Sequence, residues 1–193
     1  ASTGLKKEDV LHIIKNVNSL VIIDEAYMDF WDQSVLDAVE SFDNLIVRKT
    51  LSKAFGLAGI RLGFSVSNKK ISEIIRSVKS PYNVNSITQM IGEVVLSNPD
   101  ANNDALKKIK SSKSSLEVDI RRLCEKYENR FKIIDSVTNF ISLVIEAPSD
   151  LHNYLIDHGI SVRFVSGLIR ITCGADYENK EFIRVFEKYL NNR

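Results

Sequence analysis

The stretch TLSKAFGLAGIRLGF, running from Thr50 to Phe64, decides how the rest of the chain is read. One lysine, Lys53, stands among small and apolar residues. The hydroxyls of Thr50 and Ser52 precede it, Gly56, Gly59 and Gly63 follow, and Arg61 falls between the last two glycines. Each of these residue types has a use if the ligand is a phosphorylated aldehyde. An amine attacks a carbonyl only when neutral, so a catalytic lysine is usually desolvated or set near cations that lower its pKa; the apolar run around Lys53 suits the first arrangement. Thr50, Ser52 and the fork of Arg61 suit a phosphate dianion, because the planar donors of arginine match two phosphate oxygens at once. The glycines permit close backbone approach or positive φ. Taken alone, the same spacing describes a solvated lysine in a glycine-containing turn, which is the commoner situation.

The segment upstream decides between the two. In LVIIDEAY, Leu20 to Tyr27, an apolar run breaks abruptly into acid. This is the pattern of a buried strand that delivers a carboxylate, Asp24, at its C-terminal end. Open α/β sheets bind ligands at that end. Asn44 to Arg48 reads as a second buried strand leading into the lysine loop, and Arg61 to Ser67 as a third. A strand on either side would place Lys53 at a sheet edge.

With these residues in view, DEAYMDF (Asp24 to Phe30) and the Thr50–Phe64 stretch together resemble the pyridoxal-phosphate aminotransferases of fold type I, and within them the histidinol-phosphate aminotransferases. PYNVN at Pro81 to Asn85, TNF at Thr138 to Phe140, Val162-Arg163 and IRITCG at Ile169 to Gly174 extend the likeness over nearly the whole chain. The resemblance implies an α/β fold made of the C-terminal half of the large domain (residues 1–97) and a small α+β domain (98–193). It implies pyridoxal 5'-phosphate as cofactor, with Lys53 condensing with its aldehyde and then shuttling a proton. Asp24 would pair with the pyridine nitrogen and Tyr27 with the phenolic oxygen. Thr50, Ser52 and Arg61 would bind the phosphate, and Arg170, assisted by Arg163, the substrate's carboxylate. The chemistry asks for these types independently: a carboxylate stabilises a pyridinium, a neutral amine carries a proton, and a guanidinium grips a carboxylate with two bonds.

The implied reaction is amino transfer between histidinol phosphate and 2-oxoglutarate in histidine biosynthesis. Threonine-phosphate decarboxylase, which shares the scaffold, is the alternative within the same cofactor class, and AFGLAG after Lys53 looks more like the aminotransferases. A catalytically silent interaction domain is the alternative outside it. Members of the family are close to twice this length, so the chain resembles a C-terminal fragment of a homodimeric enzyme and is expected to be folded but inactive alone. The stacking aromatic and the glycine-containing phosphate loop would lie before Ala1. That residue stands about where the family carries an asparagine which also contacts the phenolic oxygen.

Composition is permissive. A chain of 193 residues, 44% hydrophobic, can bury a core in one or two domains, and a formal charge of +1 provides no field to recruit nucleic acid or a membrane surface. There is no apolar run of spanning length and no secretory pattern, and Cys124 and Cys173 are not spaced as metal ligands and are read as ordinary thiols of a reducing compartment. A cytoplasmic location follows as the expectation. His12, His152 and His158 lack partners at metal-ligand spacing and are read as surface or satisfied residues.

Along the remainder, helical spacing predicts helices at 5–16, 34–41, 69–78, 87–96, 102–129, 149–158 and 179–190. The apolar positions of the 87–96 helix are expected in the core, and PYNVN is expected to be extended. Lys107, Lys108, Lys110 and Lys113 are read as a solvated helix face. Strands are expected at 131–135, 140–145, 160–165 and 168–172, the last two joined by a turn at Ser166-Gly167. Trp31 is expected to anchor packing.

Overall fold

The computed structural model describes residues 3–128 and 130–192. Ala1, where the expectation about the family asparagine falls, lies outside the described residues. The chain divides into two compact units, one spanning Gly4–Leu106 and the other running from Lys107 onward.

The first unit is built on a three-stranded sheet. Strand β1 (Val21–Asp24) runs parallel to β2 (Leu45–Thr50), and β3 (Gly63–Ser67) returns antiparallel on the far side of β2. Alternation sorts the faces. Val21, Ile23, Leu45, Val47 and Val66 point to one side, where helix α1 (Lys7–Asn16) and a short 3-10 helix at Leu36–Ser41 close the core with Val10, Ile14, Val35 and Val39. β2, the central strand, is buried through Leu45, Ile46 and Val47, whereas Ile22 on β1 is 55% exposed.

Helix α2 (Lys69–Val78) starts where Asn68 accepts a hydrogen bond from the Ile71 amide at 3.0 Å, an N-cap that satisfies one of the orphan donors of the first turn. Its amide also donates to Phe42 O at 3.0 Å, tying the helix start to the loop before β2. Asn85 caps α3 (Ser86–Leu96) in the same way through Thr88 N at 2.9 Å. Two expectations need correction here. PYNVN is not extended; it makes turns between α2 and α3, because Asn85 is spent on a cap. The apolar positions of α3 are not core either: Ile87, Met90 and Val94 are exposed, and the helix seats itself instead through Thr88 and Gly92. A methyl on Gly92 would run into Leu62, so a glycine lets α3 lie close against the lysine loop. Trp31 packs against Gly4 closely enough that no side chain would fit there, as a packing anchor should.

The second unit is a four-stranded antiparallel sheet, in the order β4 (Phe131–Ile134), β5 (Phe140–Ile145), β7 (Leu168–Thr172), β6 (Arg163–Val165). Helix α4 (Pro99–Lys126) enters it from the first unit and contributes Leu116, Ile120 and Leu123, spaced by four and three, to a core shared with Ile141, Leu143, Ile169 and Ile171. Helices α5 (Pro148–Asp157) and α6 (Asp176–Asn191) supply Leu151, Leu155, Phe182 and Phe186. Gly159, at φ 77°, ends α5 as expected, with Ile160 N returning to Leu155 O at 2.9 Å. The β6–β7 turn is two residues long with Ser166 at φ 50° and Gly167 at φ 76°, the positive pair that matches strand twist. Lys107, Lys108 and Lys110 are exposed, while Lys113 is half-buried between Glu117 and the Ser136 carbonyl.

Candidate active site

Because β1 and β2 are parallel, their C-terminal ends fall side by side, and the pairing of Asp24 with Arg48 fixes the level. Asp24, Tyr27, Thr50, Ser52, Lys53 and Arg61 all lie on the segments that leave or enter the sheet at this end. Asp24 ends β1 on the exposed face, where one carboxylate oxygen accepts the Ala26 amide at 3.0 Å and the other is free among the described residues. The chain then turns through Tyr27 into a 3-10 turn at Met28–Phe30.

From the neighbouring strand end, Leu51 is fully buried and pins the loop: its amide donates to Leu62 O and its carbonyl accepts from Leu57 N. Thr50 Oγ1 donates to Leu62 O at 3.3 Å and accepts the Ser52 amide at 3.1 Å, so this hydroxyl shapes the loop. The Ser52 hydroxyl makes no hydrogen bond among the described residues. Gly56, at φ 67°, closes a tight turn by donating to Lys53 O at 3.0 Å, and a Cβ on Gly63 would stand 3.1 Å from Lys49 O. Gly59 has open space and an ordinary φ; nothing here requires a glycine.

Lys53 projects from this turn with its Nζ 5.3 Å from the centre of the Tyr27 ring. Two sequence expectations change. Lys53 is exposed rather than desolvated, because it stands on the rim of the loop while Leu51 and Ala54 beside it turn inward. As expected, it has a strand on either side and stands at the end of the sheet, in the connection between β2 and β3. Arg61 is not in β3: it sits at φ 55°, a left-handed conformation that costs a non-glycine residue about 1 kcal/mol. That backbone folds its guanidinium back over the loop, where one nitrogen donates to Ala58 O at 3.0 Å and the rest of the fork stays open.

Arg163 and Arg170 belong to the second unit and are direct cross-strand partners in the β6–β7 hairpin. Like charges opposite each other oppose pairing, and neither arginine is ion-paired among the described residues. Arg170 lies over the Phe140 ring at 4.5 Å, and its Nε is buried without a hydrogen-bond partner among the described residues. Both line a cleft of about 680 Å³ with Thr172, Cys173, Glu178 and Asn179. Burial pushes the Cys173 thiol above its usual value, so it stays protonated near neutral pH.

Sequence reasoning missed Phe140 as the platform for Arg170, and missed Glu25 and Lys49 beneath the first cluster. For Glu25 the signal was present: a second acid directly after Asp24 alternates to the opposite face of the strand, toward the core.

Lys53 over the Tyr27 ring and Asp24 at the end of a parallel strand make this the lysine-centred cluster of an α/β fold. The chain belongs to the aminotransferase class I and II family, whose profile matches residues 3–187. Aminotransferases of this class are pyridoxal-phosphate enzymes. Histidinol-phosphate aminotransferase from Clostridium novyi (strain NT) is 36% identical over 184 residues, covering 93% of this chain and 50% of that protein. The chain therefore spans about half the length of the curated relatives it matches. Among solved structures, histidinol-phosphate aminotransferase from Clostridium acetobutylicum superposes with a TM-score of 0.88 at 20% identity, covering 100% of this chain and 61% of that one. L-threonine-O-3-phosphate decarboxylase from Porphyromonas gingivalis gives 0.83 at 20%, covering 98% and 61%. The Sinorhizobium meliloti histidinol-phosphate aminotransferase in complex with pyridoxal-5'-phosphate gives 0.82 at 21%, covering 99% and 55%. These likenesses establish the shared fold.

Proposed function

We propose that this chain carries the lysine-bearing part of a pyridoxal-phosphate aminotransferase that uses histidinol phosphate as amino donor and 2-oxoglutarate as acceptor, in histidine biosynthesis. The observation that carries the proposal is the meeting of Lys53 with the Tyr27 ring at the strand end where Asp24 keeps one carboxylate oxygen free. The names of the curated relatives support the choice of substrate.

The donor set fits the cofactor by its chemistry. When bound, pyridoxal phosphate supplies an aldehyde that an amine can capture and a ring that withdraws electrons once its nitrogen is protonated. Asp24 would hold that protonated nitrogen through a charge-assisted bond, and Tyr27 would donate to the ring oxygen. Ser52, Thr50 and the open fork of Arg61 would hold the phosphate. The Lys53 amine would take and return the proton at the substrate's Cα. Arg170, its Nε already stripped of water and unpaired, would take the substrate carboxylate, with Arg163 adding charge on the same hairpin.

The same proposal makes the complete enzyme a cytoplasmic homodimer, with residues 1–97 in the large domain and 98–193 in the small one. The 193 residues by themselves would be folded but without turnover. Among the described residues the outer edge of β1 is unpaired, and Ile22 is exposed, so the isolated chain would also tend to self-associate.

A chimaera joining this chain to the part of the Clostridium novyi relative that it does not cover tests the assignment. Transfer of the amino group from histidinol phosphate to 2-oxoglutarate is the expected result. Carbon dioxide release from threonine phosphate without amino transfer would favour the decarboxylase instead. Neither reaction, with Lys53 unreactive, would leave a silent domain.

A further inference from the structure

One residue beyond Asp24, a second carboxylate is withdrawn completely from solvent. Glu25 is 0% exposed; its Oε1 accepts the Val35 amide at 2.8 Å and its Oε2 the Ser34 hydroxyl at 2.7 Å. The ammonium of Lys49 lies 3.7 Å from Oε2 and donates to Asp29 Oδ1 at 3.0 Å. The cluster thus holds two acids and one base, and Asp29 Oδ2 is buried with no hydrogen-bond partner among the described residues. Stability alone does not account for it, since apolar residues of similar volume commonly serve as well or better than a buried ion pair.

Its place in the chain does account for it. Glu25 donates its amide to Arg48 O at 2.9 Å and accepts Met28 N at 3.0 Å, so it anchors the turn that presents Tyr27. Lys49 directly precedes Thr50 and the lysine loop, and Asp29 follows Tyr27 by two residues. One ammonium therefore ties the arm bearing Asp24 and Tyr27 to the arm bearing Thr50, Ser52 and Lys53. We infer that Glu25, Lys49 and Asp29 form a buried brace that sets the Tyr27 ring against the Lys53 amine, acting as positioning residues for the reaction. The inference rests on the proposed role of Lys53 and Tyr27, but the contact that it explains is measurable without cofactor.

The test is carried out on the 193-residue chain with selectively ¹³C-labelled lysine. The Lys53 ε resonance, identified by its loss in Lys53→Arg, is expected upfield of the other lysines and to return among them in Tyr27→Leu. In Glu25→Gln and Asp29→Asn it should lose most of that displacement while circular dichroism and cooperative unfolding persist; Lys49→Arg, which keeps the charge, should retain part. Borohydride trapping of pyridoxal phosphate at Lys53 should fall in the same variants by up to about a hundredfold, the scale of a misplacement near 1 Å. Displacement retained in folded variants overturns the brace, as does unfolding of all of them, which would make the cluster a prop of the fold. If displacement is lost as expected but wild-type Lys53 is never trapped, the brace stands and the cofactor assignment fails.

Discussion

Replacing Arg170 by Met separates folding from binding at the second cluster. In the free protein, removing a buried donor with no partner returns about 1–3 kcal/mol, and the Arg170 Nε is such a donor. Removing one of two like charges directly across the hairpin adds a few tenths of a kcal/mol. Against this, losing the guanidinium over Phe140 takes away about 0.5–2 kcal/mol. Met keeps much of the stem's packing. The sum predicts that Arg170→Met falls between about 1 kcal/mol less stable and about 3 kcal/mol more stable than wild type. Binding should behave oppositely. An anion at ten times its dissociation constant stabilises wild type by about 1.4 kcal/mol, and the variant should gain almost none of this. Urea unfolding followed by circular dichroism, with and without 2-oxoglutarate, gives both numbers. A loss above about 2 kcal/mol without the anion, or equal stabilisation of both proteins by it, would show that Arg170 is a structural fixture and refute the reasoning.

Other expectations follow from the same geometry. Asp24→Ala in an active chimaera should lower the rate about a hundredfold, near 3 kcal/mol of lost charge-assisted bonding, and Asp24→Glu should cost less; turnover near wild type would remove Asp24 from the site. Gly167→Val should destabilise the β6–β7 hairpin by about 1–2 kcal/mol, measured by thermal unfolding, because a branched residue is forced to φ 76°. Burial raises the Glu117 carboxyl's pKa, but hydrogen bonds from Lys113 and Arg121 outweigh it and hold the group below its usual 4.5. The unfolded chain therefore binds this proton more readily, so the contribution is intact above the unfolded pKa and is lost as pH falls through the folded one. Glu117→Gln should cost about 0.5 kcal/mol at neutral pH, and that cost should shrink as pH falls below the usual carboxylate range, in paired urea titrations.

The sheet positions of this chain were legible because a central strand buried on both faces needs an unbroken apolar run, and Leu45, Ile46 and Val47 provide one. The Ser166-Gly167 turn was legible because few residue pairs accept two positive φ angles. The apolar stripe of α3 misled, since spacing shows that Ile87, Met90 and Val94 share a face but not whether anything covers it. Exposure of Lys53 was likewise hidden, because its apolar neighbours Leu51 and Ala54 turn away from it. The Glu25–Lys49–Asp29 cluster escaped because its members are 4 to 24 residues apart and meet only when β1 and β2 pair.

The central claim is that Lys53 is the amine that captures the cofactor. Incubating the chain with pyridoxal phosphate, reducing with borohydride and mapping the peptides by mass tests it directly. The account predicts that the reduced cofactor is found on Lys53 ahead of the other lysines, at cofactor concentrations well above those an assembled enzyme would need. Modification spread over exposed lysines such as Lys69, Lys107 and Lys108, with Lys53 no more reactive than they are, would contradict it.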